Sequence, residues 1–268
     1  MIADEQVSME MRMLFEEQLA MYKEGATIQV VGKIPETTEI PIQNPRHWLR
    51  IPDVVCVVVD MKGSTQLSAA SRDKETAAAY QMYSGTAVRV FAELQSPYID
   101  VRGDGVLALF DSGQEHRALA AAVTFKTFAS EIFAPAVTKQ TGLTIGSHCA
   151  IDQKTVLVRR IGYKRYGGRT DRQNEVWAGK PVNMAAKLAS LTEDNELLVS
   201  ERFFEQLTDD HALLSCGCPN GVRTPLWKER DLTEDRRFDF DKAYSLRSTW
   251  CKTHGKLFCK ALLDADDK

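Results

Sequence analysis

One stretch constrains the fold more than any other: Ile51 to Thr65, which reads IPDVVCVVVDMKGST. From Val54 to Val59 the chain is unbroken, apolar and mostly β-branched, as suits a strand buried on both faces, and the run stops at Asp60. A carboxylate at the end of a core strand is a site candidate. Next come Met61, Lys62, Gly63, Ser64 and Thr65, a short polar turn whose glycine and consecutive backbone N–H groups suit a phosphate before a helix begins. Taken alone, the same residues also describe a strand that Asp60 merely ends and a helix that Ser64 or Thr65 caps. A partner motif has to decide.

With 268 residues, 44% of them hydrophobic, the chain can bury one large core, or a core plus an appended subdomain. The formal net charge is −3 and the sequence pI about 6.0, which argues against a nucleic-acid partner, because that needs a basic face. No apolar run approaches the roughly 20 residues that cross a bilayer, and the N-terminus (MIADEQVSMEMRM) is too acidic and polar for a signal peptide. These features predict a cytoplasmic protein with no membrane association. Six cysteines without a secretory signal read as reduced thiols or metal ligands, with Cys56 and Cys149 in apolar runs and so in the core.

In chain order, Asp4 to Glu24 places Val7, Met11, Leu14, Phe15, Leu19 and Tyr22 at helical spacing, an amphipathic helix that can pack on its own domain or on a second copy. Thr27 to Pro52, with Pro35, Pro41, Pro45 and Pro52, reads as an extended lead-in. After the opening strand and turn, Asp73 to Gln95 is a long helix ended by Ser96 and Pro97. Tyr98 to Phe110 is a β-hairpin whose Gly103-Asp104-Gly105 turn puts Asp104 at the tip. Gln114 to Phe133 is a helix ending near Pro135, and Leu143 to Ile151 with Thr155 to Ile161 reads as a second strand pair. Gly162 to Asn174 is a glycine-rich basic loop, either solvated or covering a site or dimer contact. Lys180 to Leu191 is a helix begun at Pro181, on which Asn183 and Lys187, four apart, share a side. A short strand (Glu196 to Ser200) and a short helix (Glu201 to Leu207) follow.

The expected organisation is an N-terminal helix and lead-in over 1–49, a catalytic domain over 50–208 and an extension over 209–268. The extension gathers Cys216, Cys218, Trp227, Trp250, Cys251, His254 and Cys259 in a polar segment. Its C-x-C and C-x-x-H pairs are a possible zinc set, but they are far apart and Cys259 adds a fifth candidate, so a small packed subdomain with free thiols is the favoured reading.

Asp60 and Asp104, one ending the first strand and one at the tip of a neighbouring hairpin, can lie side by side across an antiparallel sheet. Such a pair can hold two divalent cations that clamp a transferring phosphoryl group. With the DMKGST turn and the Asn183/Lys187 face, the sequence resembles the class III nucleotide cyclases. Asp60 to Thr65 is similar to their D-I-x-G-F-T pattern, with Ser64 in place of phenylalanine; Gly103-Asp104 is similar to their G-D hairpin; and Gly179 to Leu188 is similar to their G-D-x-V-N-x-A-A-R-L helix. The resemblance implies an α+β fold, a ferredoxin-like palm over about residues 50 to 205, and a head-to-tail homodimer with its active sites at the interface. It further implies two Mg²⁺ or Mn²⁺ ions on Asp60 and Asp104, a triphosphate held by Met61 to Thr65 (Met61, Lys62, Gly63, Ser64, Thr65), and a ribose oriented by Asn183. Where the family has an arginine facing the α-phosphate this chain has Lys187, a point charge without the bidentate fork, so Arg102 or Lys180 are further candidates for that charge.

The adenine-reading pair of adenylate cyclases is not matched: its places hold Asp100 and Val176 or Glu175. An ionised Asp100 only accepts, which suits the N–H edge of uracil, cytosine or guanine; alternatively it only solvates the strand end. The phrases Pro45 to Ile51 and Val176 to Asn183, and the tail with CGCP and WCKTHGKLFC, resemble the bacterial pyrimidine cyclases of the Pycsar antiphage systems. That likeness implies cyclic UMP made from UTP, with cyclic CMP from CTP as the alternative, and a separate effector protein that senses it. A purine cyclase and a degenerate nucleotide-binding module are the remaining readings.

Overall fold

The structure is a computed structural model and describes residues 6–163 and 172–267. Its elements are α1 (Met9–Glu24), β1 (Thr27–Val30), β2 (His47–Lys62), α2 (Ser64–Ala70), α3 (Asp73–Glu93), β3 (Tyr98–Arg102), β4 (Gly105–Phe110), α4 (Glu115–Phe128), α5 (Ala134–Thr141), β5 (Gly146–Tyr163), β6 (Arg172–Gly179), α6 (Lys180–Ser190), β7 (Leu197–Ser200), α7 (Glu201–Phe204), α8 (Asp210–Leu213), β8 (Trp227–Asp231), β9 (Lys242–Leu246) and α9 (Gly255–Asp266). This is a mixed α+β chain, and it divides into two compact units: Met1–Ile51 with Leu157–Ala178, and Pro52–Val156 with Gly179–Lys268.

In the first unit, Ser8 caps α1 by accepting a hydrogen bond from the Met11 backbone N–H. The expected helix forms, yet it buries none of its residues, and Phe15, Leu19 and Tyr22 are exposed. The lead-in is extended as its prolines suggest, with β1 pairing parallel to the start of β2 from Thr27↔His47 to Val30↔Arg50. Arg159 stacks over Trp48, and Arg160 pairs with Glu175 at 3.5 Å. Of the basic loop expected over 162–174, residues 164–171 lie outside the described residues, and β5 and β6 occupy its flanks.

The second unit carries the sheet order β3-β4-β2-β5-β7-β9-β8. Strand alternation sorts β2 into two faces. Val55, Val57, Val59 and Met61 enter the main core with Tyr83, Phe91, Phe125 and Phe133 from the helices. Tyr83 meets Phe125 edge-on at 5.0 Å, a geometry worth about 0.5–1.5 kcal/mol beyond the area buried. The opposite face carries Val58 and Asp60, and further along it α6 lays Leu188 and Ala189 over Ala150 and Leu198. Val58 is only half-buried, the one departure from full burial between Val54 and Val59.

Three expectations about elements change. The two strands expected at 143–161 are one continuous strand, β5. The polar Asp152 to Thr155 looked like a turn, but Asp152 is buried and paired with Arg202 at 2.5 and 2.8 Å, so its charge is met inside the sheet layer. The helix expected to end near Pro135 instead continues through a π turn at Ala129–Phe133 into α5, and Pro135 falls directly after that turn, where the regular i→i−4 ladder is already interrupted. The tail, finally, does not pack on its own: β9 pairs antiparallel with β7 and β8 with β9, extending the sheet. The Asp266 carboxylate near the end of α9 accepts the His116 and Arg117 backbone N–H groups at 3.2 and 2.7 Å and contacts His116 Nδ1 at 2.8 Å. A residue from the end of the chain thus caps α4. No described helix is long and apolar enough to cross a membrane.

Candidate active site

The register of β2 with β4 sets Asp60 opposite Gly105, and the Met61 backbone N–H donates to the Asp104 carbonyl at 3.3 Å. The hairpin tip is therefore tied to the end of β2, and the two carboxylates feel one another. Burial, and then the neighbouring charge of Asp104, raise the Asp60 carboxyl pKa from its ordinary value, against a hydrogen bond from the Met61 backbone. Gly105 makes room for this: a Cβ there would sit 2.9 Å from Asp60 Oδ1. In the turn that follows, Gly63 takes φ +86°, and a Cβ on it would meet Thr144 O and Ile145 Cδ1, each at 3.1 Å. Ser64 and Thr65 open α2, Met61 is buried in the strand, and Lys62 reaches Asp194 in an ion pair.

Beside Asp60 the sheet opens into a groove of about 420 Å³, within the usual range of small-molecule pockets, lined by Val58, Arg102 and His148 and, from α6, Val182 and Ala186. Arg102 Nε donates to Asp100 Oδ2 at 2.6 Å. Asp100 is thus presented as a carboxylate–guanidinium pair, in which Arg102 faces the groove. His148 Nδ1 lies 2.8 Å from Thr192 Oγ1, and burial, aided by the charge of Lys62, lowers its pKa so that it is neutral near pH 7.

Other predicted residues stand apart from this groove. Asn183 is exposed on α6 and does not line the groove, although Ser190, two turns on along nearly the same side, does. Lys187 donates to the Arg237 carbonyl at 2.9 Å, and Lys180 binds Asp239 at 2.8 Å. Val176, half-buried in β6, belongs to the other unit, as does Glu175. Sequence reasoning named Arg102 only as a spare cation and passed over His148. The first was findable, because residues two apart on a strand share a face and Asp100 and Arg102 flank Val101.

No protein-family model matches the chain. It is 38% identical over 239 residues to a uridylate cyclase of Propioniciclava tarda, covering 86% of this chain and 75% of the relative. A uridylate cyclase of Micromonospora echinofusca is 33% identical over 238 residues, covering 85% and 75%. The chain belongs to the uridylate cyclase family. Its fold is that of class III nucleotide cyclases: the guanylyl cyclase Cya2 superposes with a TM-score of 0.58 at 20% identity, over 75% of this chain and 93% of that one. The adenylyl cyclase CyaB from P. aeruginosa gives 0.58 at 16%, over 75% and 96%. The donor set here suits a divalent cation: two carboxylates, one partly desolvated and each repelling the other, with Gly105 leaving the space beside Asp60 Oδ1 clear.

Proposed function

We propose that the protein converts UTP to 3′,5′-cyclic UMP and pyrophosphate at a head-to-tail homodimer interface, as the source of a second messenger read by a separate effector in antiphage defence. The observation that carries this reading is the convergence of Asp60 and Asp104 at the hairpin tip in a chain of the uridylate cyclase family. The ribose 3′-oxygen attacks the α-phosphorus, the 3′-hydroxyl proton leaves to solvent, and the bond from the α-phosphorus to the bridging oxygen breaks with pyrophosphate departing. Asp60 and Asp104 would hold two Mg²⁺ or Mn²⁺ ions. When bound, these ions neutralise phosphate charge and lower the pKa of the attacking hydroxyl.

The chain's own residues do the rest. Lys62 to Thr65 seat the triphosphate through the backbone N–H groups around the start of α2, while Met61, buried and with its N–H on the Asp104 carbonyl, anchors the turn. The Asp100–Arg102 pair meets the base: the carboxylate accepts from uracil N3–H while the guanidinium donates to a carbonyl oxygen beside it. Asn183 and Lys187 serve the site of the other subunit, Asn183 holding the ribose and Lys187 the charge that develops on the α-phosphate. Neither residue lines the groove of its own chain, which supports this assignment.

The test is a chromatographic product assay of the purified chain with Mn²⁺ and each of the four nucleoside triphosphates. Cyclic UMP is expected as the main product, and Asp60→Ala and Asp104→Ala are each expected to reduce it by about 10³-fold or more. Turnover that survives both changes overturns the metal assignment, and a preference for CTP, ATP or GTP overturns the substrate.

A further inference from the structure

The last sixty residues hold a second constellation, remote in function from the nucleotide. Cys216, Cys218, Cys251 and His254 come from two segments, and their ligand atoms all lie within 4.8 Å of one another. Three thiols and an imidazole around one point match a tetrahedral set, whose edges are about 3.7 Å when metal–sulfur bonds are 2.3 Å. We propose that these four residues bind one structural zinc ion.

The local backbone is shaped for this. Gly217, between the first two cysteines, has φ +83°, and a Cβ on it would lie 2.8 Å from the Gly221 carbonyl carbon. The Gly221 N–H closes the loop by donating to the Gly217 carbonyl at 2.6 Å. The result is a tight knuckle that turns both sulfurs to one side. In the second segment the Gly255 N–H donates to the Cys251 carbonyl at 2.7 Å as α9 begins, which closes the turn that carries Cys251 and His254. Cys218 Sγ and His254 Nδ1, thirty-six positions apart in sequence, approach to 3.2 Å.

A disulfide explains less. Three thiols cannot all pair, and a disulfide has no use for the imidazole nitrogen. Four protein ligands with no open position describe a structural site rather than a catalytic one, and thiolate and imidazole ligands favour zinc over magnesium or calcium. Binding releases three thiol protons and leaves the ion with three thiolates and a neutral histidine. The mechanical effect is clear from position. The zinc staples the Cys216–Cys218 loop to the turn that leads into α9, while Asp266 at the other end of α9 caps α4. Both ends of the last helix are then fixed, one to the Cys216–Cys218 loop and the other to α4.

Elemental analysis of the full chain, purified without chelator or a metal-affinity step, is expected to find about one zinc per chain. Cys218→Ser and Cys251→Ser should fall below about a tenth of that, whereas Cys259→Ser, which lies outside the cluster, should keep it. Replacement by Co²⁺ should give the intense sulfur-to-metal charge-transfer band and visible bands of a tetrahedral thiolate site, lost in Cys251→Ser. Should the serine variants not fold, the wild-type zinc content and cobalt spectrum still decide. A folded wild-type chain free of zinc, a stoichiometric metal other than zinc, two thiols missing on titration of the zinc-free chain, or zinc retained in the serine variants would each overturn the proposal.

Discussion

Gly105 shows how narrowly the carboxylate pair is fitted. Its neighbour in the turn, Gly103, has a positive φ of 65° and nothing within 4 Å of a notional Cβ, so it serves the bend of the hairpin. Gly105 serves a contact instead, because the space a methyl group would fill is the space beside Asp60 Oδ1. Gly105→Ala is therefore expected to displace the Asp60 carboxylate while leaving the sheet intact. UTP turnover should fall by about 10²-fold, the loss expected for an ångström-scale misplacement, with a stability change of about 1 kcal/mol or less by urea titration. Turnover within two-fold of wild type would show that the carboxylate does not need this space. The motif Gly103-Asp104-Gly105 was readable in advance as a turn that presents an acid. The use of its second glycine was not, because it depends on which strand lies alongside. Asp100 lies on the other side of that boundary: strand alternation alone puts Arg102 on its face, and the structure adds the 2.6 Å hydrogen bond between them.

Elements were legible where their periodicity was local and lost where a distant partner decided the outcome. The long helix α3, the hairpin β3–β4 and helix α6 follow from spacing and terminators within the segment itself. The continuous β5 does not, because a polar interruption in mid-strand is tolerated only when something such as Arg202 meets Asp152. Lys126 on α4 is a similar case. It is almost fully buried, and its ammonium donates to the Arg247 and Ser248 carbonyls at 2.8 and 2.9 Å, tying α4 to the segment after β9. Burial, the largest influence, lowers its pKa to about 8. The unfolded chain holds this proton up to about pH 10.4, so between the two values the unfolded state binds more protons than the folded state, and stability attributable to Lys126 rises with pH. The limiting slope is about 1.4 kcal/mol per pH unit. Urea unfolding at several pH values from 7.5 to about 10 is expected to show this rise in wild type relative to Lys126→Met, whose missing ammonium shifts the whole curve but removes the slope. Parallel curves would mean that the lysine stays charged throughout.

At the scale of the whole molecule the decisive question is which chain supplies which half of a site. Asp60 and Arg102 line the groove, yet Asn183 and Lys187 of the same chain do not: one is exposed and the other is held at the Arg237 carbonyl. A site completed in trans makes these facts consistent, and it has a quantitative signature. In a head-to-tail homodimer each of two sites takes Asp60 from one chain and Lys187 from the other. A dimer of Asp60→Ala with Lys187→Ala then concentrates both lesions in one site and leaves the second unaltered. If the two inactive variants are mixed in equal amounts and exchange freely, about half of the dimers are hybrids with one good site of two, so about a quarter of wild-type cyclic UMP production should return. Sedimentation of the mixture should show the dimer throughout, and pairing Asp60→Ala with Asp104→Ala, which lie in the same half-site, should restore nothing. If the first mixture also stays inactive while labelled subunits demonstrably exchange, each site is built within one chain, and Asn183 and Lys187 must then reach Asp60 by a movement of α6 rather than by the approach of a second copy.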